Sequence, residues 1–316
     1  MDTLNDIIKV DDYILTKKLA KTNSDFYLAT KEGSSSQFIV KVIDKKNESK
    51  YETFYRNEIA ILKDVNHPNI IKLLEVKETD EKIYLFKEYC NGGNLEVFIK
   101  RYKYIYKKTP SEEIVQYIMS QLINAMYYLY NKKIIHRNIK LGNIFINYEN
   151  VEDSKKLNIL NGTIKIIDFG FATYLQKGEL ITVKLGTPLY MSPIILNKDF
   201  IPYDEKTDIW SLGIICYELL TGKHPFNSFG IPELIEKINK GDYNIPITLS
   251  LEALSFINCM LKYDENDRKS YDELKDHEFL KKSVKEFRKI NVNELKDVKM
   301  EGESEIIINT KSNQSF

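Results

Sequence analysis

The feature that most constrains this chain is a change of hydrophobic period at Asn91-Gly92-Gly93. Ahead of that turn, residues 12–30 and 37–43 are apolar and aromatic, which predicts strands. The turn-rich Lys31-Glu32-Gly33-Ser34-Ser35-Ser36 separates them. Apolar residues then recur at helical spacing over 49–64, around Glu58. His67-Pro68-Asn69 breaks that helix before two more strand-like runs, 70–76 and 83–88. Beyond the turn the pattern is helical: 114–130 carries a dense apolar face, and 208–221 is apolar nearly all round. A helix with no polar face has to lie inside a body of other helices. The chain is therefore expected to fold as two unlike parts, a small sheet with one helix and a larger helical mass. Residues 147–162 are polar and read as a surface loop or extended hairpin, and no internal repeat is present.

At 316 residues the chain has ample length for a core, as one large domain or two small ones. Lysine plus arginine equals aspartate plus glutamate, 46 each, so no net basic field argues for nucleic acid or an anionic membrane. Cys90, Cys216 and Cys259 lie far apart and fit neither a disulfide framework nor a zinc site, which predicts reduced thiols. No apolar run approaches the length of a membrane span, and no basic-then-apolar signal pattern opens the sequence. Met1-Asp2 lacks the second-position glycine that N-myristoylation requires. A cytoplasmic protein without membrane insertion or a nucleic-acid partner is expected, its oligomeric state open. Beyond residue 280 the chain is charged and poor in aromatics, and this tail is expected to be mobile.

A set of short motifs follows in a fixed order. They are Phe38-Ile39-Val40-Lys41, Asn57-Glu58-Ile59-Ala60-Ile61-Leu62, Glu88-Tyr89-Cys90, His136-Arg137-Asn138-Ile139-Lys140-Leu141-Gly142-Asn143, Asp168-Phe169-Gly170, Gly186-Thr187-Pro188-Leu189-Tyr190-Met191-Ser192-Pro193 and Asp208-Ile209-Trp210-Ser211-Leu212-Gly213. In this order and spacing the chain resembles the protein kinase family from about Tyr13 to Leu280. Lys140, two residues after Asn138, matches the serine/threonine type; the wording Asp168-Phe-Gly-Phe-Ala is similar to Unc-51-like and calcium/calmodulin-group kinases.

The resemblance implies an α+β, bilobal protein kinase fold. Its small lobe would be an antiparallel β-sheet plus one helix (13–87), joined by a hinge (88–91) to a mainly helical lobe (92–281). Residues 1–12 and 282–316 would be extensions. It also implies ATP and Mg²⁺ as cofactors, if nucleotide binding is retained, and a protein substrate or partner kinase. Lys41 would contact the α- and β-phosphates, positioned by Glu58, while Asn143 and Asp168 would ligate magnesium. Lys140 would offset charge on the transferring group. Ala20, Ile39, Glu88, Cys90 and Phe145 would line the nucleotide site. Arg137 would face the activation segment with Thr187, and would bind a phosphate on Thr182 if that threonine is modified. Asp208 would hold the catalytic loop through backbone hydrogen bonds, and His136, Phe169 and Leu62 would pack between the lobes.

Several positions depart from the family pattern. Asn138 stands where an aspartate orients the substrate hydroxyl and accepts its proton, and an amide cannot take a proton near neutral pH. The loop from Leu19 to Phe26 has no glycine, and Asp25 adds a negative charge to it. Ile39 replaces the alanine that packs on adenine, and Phe26 replaces the valine of the roof. Lys87 occupies the gatekeeper position, where an apolar residue is usual. A buried ammonium there needs Glu58 or Asp168 as partner; otherwise it extends to solvent. Ile194 replaces a glutamate, so its usual partner Arg268 should pair elsewhere, with Asp264 or Glu265. These changes together imply a catalytically impaired pseudokinase that scaffolds or allosterically regulates a partner. The alternative is an active, slow, ATP-dependent serine/threonine kinase, because the loss of a general base typically costs only about 10²–10⁴-fold.

Overall fold

The computed structural model describes residues 8–21, 24–175, 185–197, 204–241, 243, 244, 246 and 248–281. Thr182, residues 1–7 of the N-terminal extension and the tail 282–316 lie outside the described residues; the rest of the 1–12 extension is no appendage, because Ile8–Val10 pairs with Tyr13–Leu15 at the edge of the sheet. The small lobe is a six-stranded antiparallel sheet in the order β1-β2-β3-β4-β6-β5. Its strands are β1 (Ile8–Val10), β2 (Tyr13–Lys21), β3 (Asp25–Lys31), β4 (Gln37–Asp44), β5 (Leu73–Glu78) and β6 (Lys82–Glu88). One helix, α1 (Glu48–Asp64), packs beside them. One face of the sheet buries Val10, Tyr13, Leu15, Ala29, Val40, Val42, Tyr84 and Phe86, and the tilted rings of Tyr13 and Phe86 lie 4.1 Å apart. Central strand β6 is buried from Ile83 to Lys87, so its apolar run has no solvent-facing alternation.

The large lobe centres on α3 (Glu112–Asn131) and α6 (Lys206–Thr221). Asp208–Leu220 of α6 is buried apart from Glu218, as expected for a helix without a polar face. Around the pair lie α2 (Leu95–Tyr106), α4 (Val151–Lys155), α5 (Pro193–Asn197), α7 (Ile231–Lys240), α8 (Leu251–Met260) and α9 (Tyr271–Lys275). Two small ladders lie between the lobes. β7 (Ile134–Ile135) pairs with β10 (Thr173–Tyr174), and β8 (Ile144–Tyr148) with β9 (Gly162–Ile166). The polar stretch 147–162 is more than a surface loop. It holds α4 and a short 3₁₀ turn, and Leu157, Ile159 and Leu160 are buried. Polar residues at the surface-facing positions masked those anchors.

Two straps join the lobes. The first is the hinge, whose far end is fixed on β8: Gly92 N–H donates to Ile146 O and Ile146 N–H to Gly93 O, both at 2.9 Å. Gly92 is required there, because a Cβ would lie 2.6 Å from the Tyr148 ring. The second strap is the segment after α1. Ile71 N–H donates to Ile166 O at 2.9 Å, Ile166 N–H to Asn69 O at 2.8 Å, and the Asn69 amide to Ile164 O and Gln121. Ile61, Leu62, Ile70 and Ile71 accordingly belong to the large hydrophobic core rather than to the sheet.

Candidate active site

Strand β4 carries Lys41 and helix α1 carries Glu58 across from it. Lys41 Nζ lies 2.6 Å from Glu58 Oε2, and Lys87 Nζ on β6 lies 2.5 Å from Oε1. Glu58 is wholly buried and Lys87 is 6 % exposed. Register explains the meeting: Lys87 is directly opposite Ile39 on β4 and Leu73 on β5, so its stem crosses the core beside the helix. Of the two partners open to Lys87, the structure selects Glu58. Burial alone would raise the Glu58 carboxyl, but the Lys41 and Lys87 charges together hold it down at about 2. Burial also opposes the Lys41 ammonium, and the charges of Glu58 and Asp168 outweigh it and raise its pKa.

The catalytic-loop motif is held from below by Asp208, which accepts from His136 N–H at 2.8 Å and Arg137 N–H at 2.9 Å. His136 is fully buried, edge-on to Phe169 at 4.7 Å, and burial pushes its imidazole down to about 4, so it stays neutral. Leu62 and Phe169 are both buried in the same core. Arg137 has a left-handed backbone (φ 64°), and its Nε donates to Phe171 O at 2.5 Å, at the start of the activation segment. Asp168 is also left-handed (φ 60°), which turns its carboxylate into the cleft.

Asn138 joins these parts. Its Nδ2 donates to Asp168 Oδ2 at 3.0 Å, and its Oδ1 accepts from the Thr187 hydroxyl at 3.5 Å. Asn143 Nδ2 donates to Asn138 O at 2.9 Å and to the same Asp168 oxygen at 3.4 Å. Lys140 is partly buried, and burial lowers its pKa against the pull of Asp168 and Glu96. Two amides thus direct N–H donors at the single carboxylate. Those donors engage Asp168 Oδ2 and the Asn138 carbonyl; the Oδ1 atoms of Asp168 and Asn143 are the oxygens that would hold a divalent cation if one were bound here.

On the nucleotide side, Ala20 pairs in register with Phe26, and the Phe26 ring lies 6.0 Å from Lys41 Nζ. Cys90 is buried and its thiol is pushed up to about 12 by burial, which makes it inert. Phe145 on β8 is directly opposite Lys165 on β9, and Lys165 reaches Glu88 at 2.8 Å. That last pair escaped the sequence reading, although the alternation of β9 places Lys165 on the side of Phe145. Asp25 does not bring free charge to the cleft: it pairs with Lys18 at 2.8 Å across the β2–β3 hairpin. Arg268 likewise departs from expectation. Its guanidinium donates to the carbonyls of Lys262 (2.8 Å), Lys206 (2.9 Å) and Tyr263 (3.1 Å) and stacks over Trp210. Burial lowers the guanidinium to about 10, and the charges of Glu265, Asp204 and Asp264 oppose that drop, so the expected acidic neighbours act on Arg268 through charge while its hydrogen bonds go to the carbonyls. Downstream, the Tyr190 hydroxyl donates to Glu218 Oε2 at 2.6 Å, and burial raises that carboxyl to about 7.

The family model of the protein kinase domain matches residues 22–280. Calcium-dependent protein kinase 5 of Plasmodium falciparum is 36 % identical over 285 residues, which cover 89 % of this chain and 46 % of that protein. Human serine/threonine-protein kinase ULK1 is 35 % identical over 253 residues, 79 % of this chain and 23 % of that protein. Serine/threonine-protein kinase atg1 of Dictyostelium discoideum is 33 % identical over 284 residues, 86 % and 40 % respectively. The chain thus spans less than half the length of these relatives. With the Lys41–Glu58 pair, the Asp168-Phe169-Gly170 turn and the buried α6 assembled in two lobes, the chain belongs to the protein kinase family, serine/threonine type.

Proposed function

We propose that this domain is impaired in phosphoryl transfer and acts as a signalling scaffold or allosteric partner of another protein, an active kinase or its substrate. The observation that carries this reading is the Asn138 amide donating to Asp168 at 3.0 Å. The side chain that would accept the hydroxyl proton is itself a donor, and its donor is committed to the carboxylate on which metal binding depends in this family. Lys87 on Glu58 and Phe26 beside Lys41 support the reading from the nucleotide side, since one shares the carboxylate partner of Lys41 and the other puts a larger ring at the roof of the site. In this reading Ala20, Ile39, Lys41, Glu88, Cys90 and Phe145 are what remains of a nucleotide site. Thr187 is then a brace for Asn138, and the cytoplasm is the working compartment. No described helix is long and apolar enough to cross a membrane.

A slow but working kinase is the second reading. The Lys41–Glu58 pair and the His136–Phe169 packing favour it, because both are in the arrangement that transfer needs. The purified chain should be incubated with γ-labelled ATP, Mg²⁺ and a panel of protein substrates. No transfer above that of a Lys41→Met control is expected. Labelling that disappears in Lys41→Met would sink the impaired reading and establish the slow enzyme.

A further inference from the structure

Two positions change the charge of the cleft in the same direction. Lys87 supplies an ammonium where the family pattern leads one to expect an apolar side chain, and Asn138 removes the carboxylate expected in its place. Three cations, Lys41, Lys87 and Lys140, now face two carboxylates, Glu58 and Asp168. The neighbouring charges cancel in pairs: Lys165 with Glu88 at 2.8 Å, and Lys100 with Glu96 at 2.7 Å. With an aspartate at 138 and an apolar residue at 87, the same groups would be two cations against three carboxylates. The two positions together shift the local balance by two positive charges, the charge that one divalent metal ion would bring.

The geometry shows where that charge acts. Glu58 carries one negative charge and is shared by two ammonium groups, so Lys87 partly relieves Lys41 of its partner. Lys41 is the one nearer the cleft: it is adjacent to Gly170, where a Cβ would lie 3.8 Å from Nζ and 3.4 Å from Asp168 Oδ1. At Asp168, the Asn138 amide offsets part of the carboxylate's charge by donating to Oδ2 at 3.0 Å. The group covering Lys41 is the Phe26 ring at 6.0 Å, on the β2–β3 hairpin. An aromatic face is a weak partner compared with an anion.

We propose that the cleft binds a polyphosphate anion without a divalent metal, with Lys41 as the contacting cation, Lys87 adding one positive charge and Asn138 removing one negative charge in place of the two that magnesium would bring. The chemistry is shared by the triphosphate of a nucleotide and by a free inorganic polyphosphate. This deepens the impaired-transfer reading and rests on it, because a metal-free complex lacks the cations that stabilise the transferring group.

Thermal melts of the full chain in EDTA test it. The arms are ATP, inorganic tripolyphosphate, and sulfate at matched ionic strength. Binding at about ten times the Kd should raise Tm by about 3–6 °C. A rise with ATP alone identifies a nucleotide as the source, and a rise with tripolyphosphate as well identifies any polyphosphate; both support the proposal. A rise only when Mg²⁺ is added, an equal rise with sulfate, or no rise in any arm overturns it. Lys87→Met and Asn138→Asp each remove one unit of charge and should each weaken the metal-free Kd about tenfold or more. The pair together should convert binding to magnesium dependence. Unchanged affinity in Asn138→Asp refutes the charge argument even where Lys87→Met fails to fold. Labelling by γ-labelled ATP in Mg²⁺ is a separate readout: it removes the impaired-transfer reading, whereas silent melts in EDTA remove only the metal-free site.

Discussion

The two-lysine clamp on Glu58 makes a specific prediction about coupling. Glu58 falls from its ordinary 4.5 to about 2 because Lys41 and Lys87 each hold one carboxylate oxygen. At 1.36 kcal/mol per unit, that drop is about 3 kcal/mol of stability at neutral pH. A carboxyl lowered in the folded state supplies stability that is complete above its unfolded value and is lost as pH falls toward 2. Lys41→Met or Lys87→Met alone keeps the stem and leaves one ammonium on Glu58, so each should cost about 1–2 kcal/mol. The double variant leaves a wholly buried carboxylate with no cation, at a cost of about 3–5 kcal/mol or more. Its loss should exceed the sum of the two singles, because each lysine covers for the other. The pH dependence should also reverse. With no cation, burial raises the Glu58 carboxyl, so the folded state takes up a proton and the double variant gains stability relative to wild type as pH falls from 7 to about 5. Urea melts of the four proteins at both pH values measure this directly. A double variant no weaker than the worse single, with an unchanged pH profile, would refute the shared clamp and leave one lysine as the sole partner.

Asn138→Asp, without metal at pH 7, replaces a 3.0 Å amide–carboxylate hydrogen bond with two facing carboxylates. It should cost about 2–4 kcal/mol, and the loss should shrink below pH 5 as the pair takes up a shared proton; melts at the two pH values check it. Arg268→Met strips donors from three buried carbonyls and a cation from the Trp210 face, so the urea midpoint should fall by the equivalent of about 3 kcal/mol, with Arg268→Lys intermediate. His136 and His224 sit near 4 because burial disfavours their charged forms. Their contribution to stability is complete above the ordinary 6.5 and is lost as pH falls toward 4, so ring signals in ¹H–¹⁵N spectra should stay neutral at pH 5.5. Titration of either ring near 6.5 would contradict the burial.

The elements were legible wherever period and breakers agreed. The helix around Glu58, the apolar 208–221 stretch and the turn at Gly92-Gly93 all fall where the pattern places them. The need for a partner at Lys87 was also readable, since a strand buried on both faces leaves an ammonium nowhere to go. Which carboxylate it would find was not, because that depends on the distance between β6 and α1 rather than on either sequence. Arg268 and Asp25 were misread for a common reason. Nearest opposite charge is a good guide only when no stronger claim exists, and buried carbonyls claimed the first while the hairpin partner Lys18 claimed the second. The helix inside 147–162 was hidden because it is five residues long and buries only Ser154, while the apolar anchors Leu157, Ile159 and Leu160 follow it and are too close together to show a period.

The pairing of Asn69–Ile71 with β9 also bears on how the lobes can move. Covalent connection and mechanical connection do not coincide in this chain. The backbone crosses between lobes once, at the hinge, yet the segment after α1 is rooted in the large lobe by its own hydrogen bonds at 2.8–2.9 Å. Two attachments some distance apart define an axle. Rotation about the line that joins them is soft, while twisting across it strains one attachment or the other. A fragment ending at residue 88 would carry Ile70 and Ile71 without the strand they lean on, and its helix would lose the seat of Ile61 and Leu62. The small lobe is therefore a lever whose fulcrum belongs to the other half of the molecule.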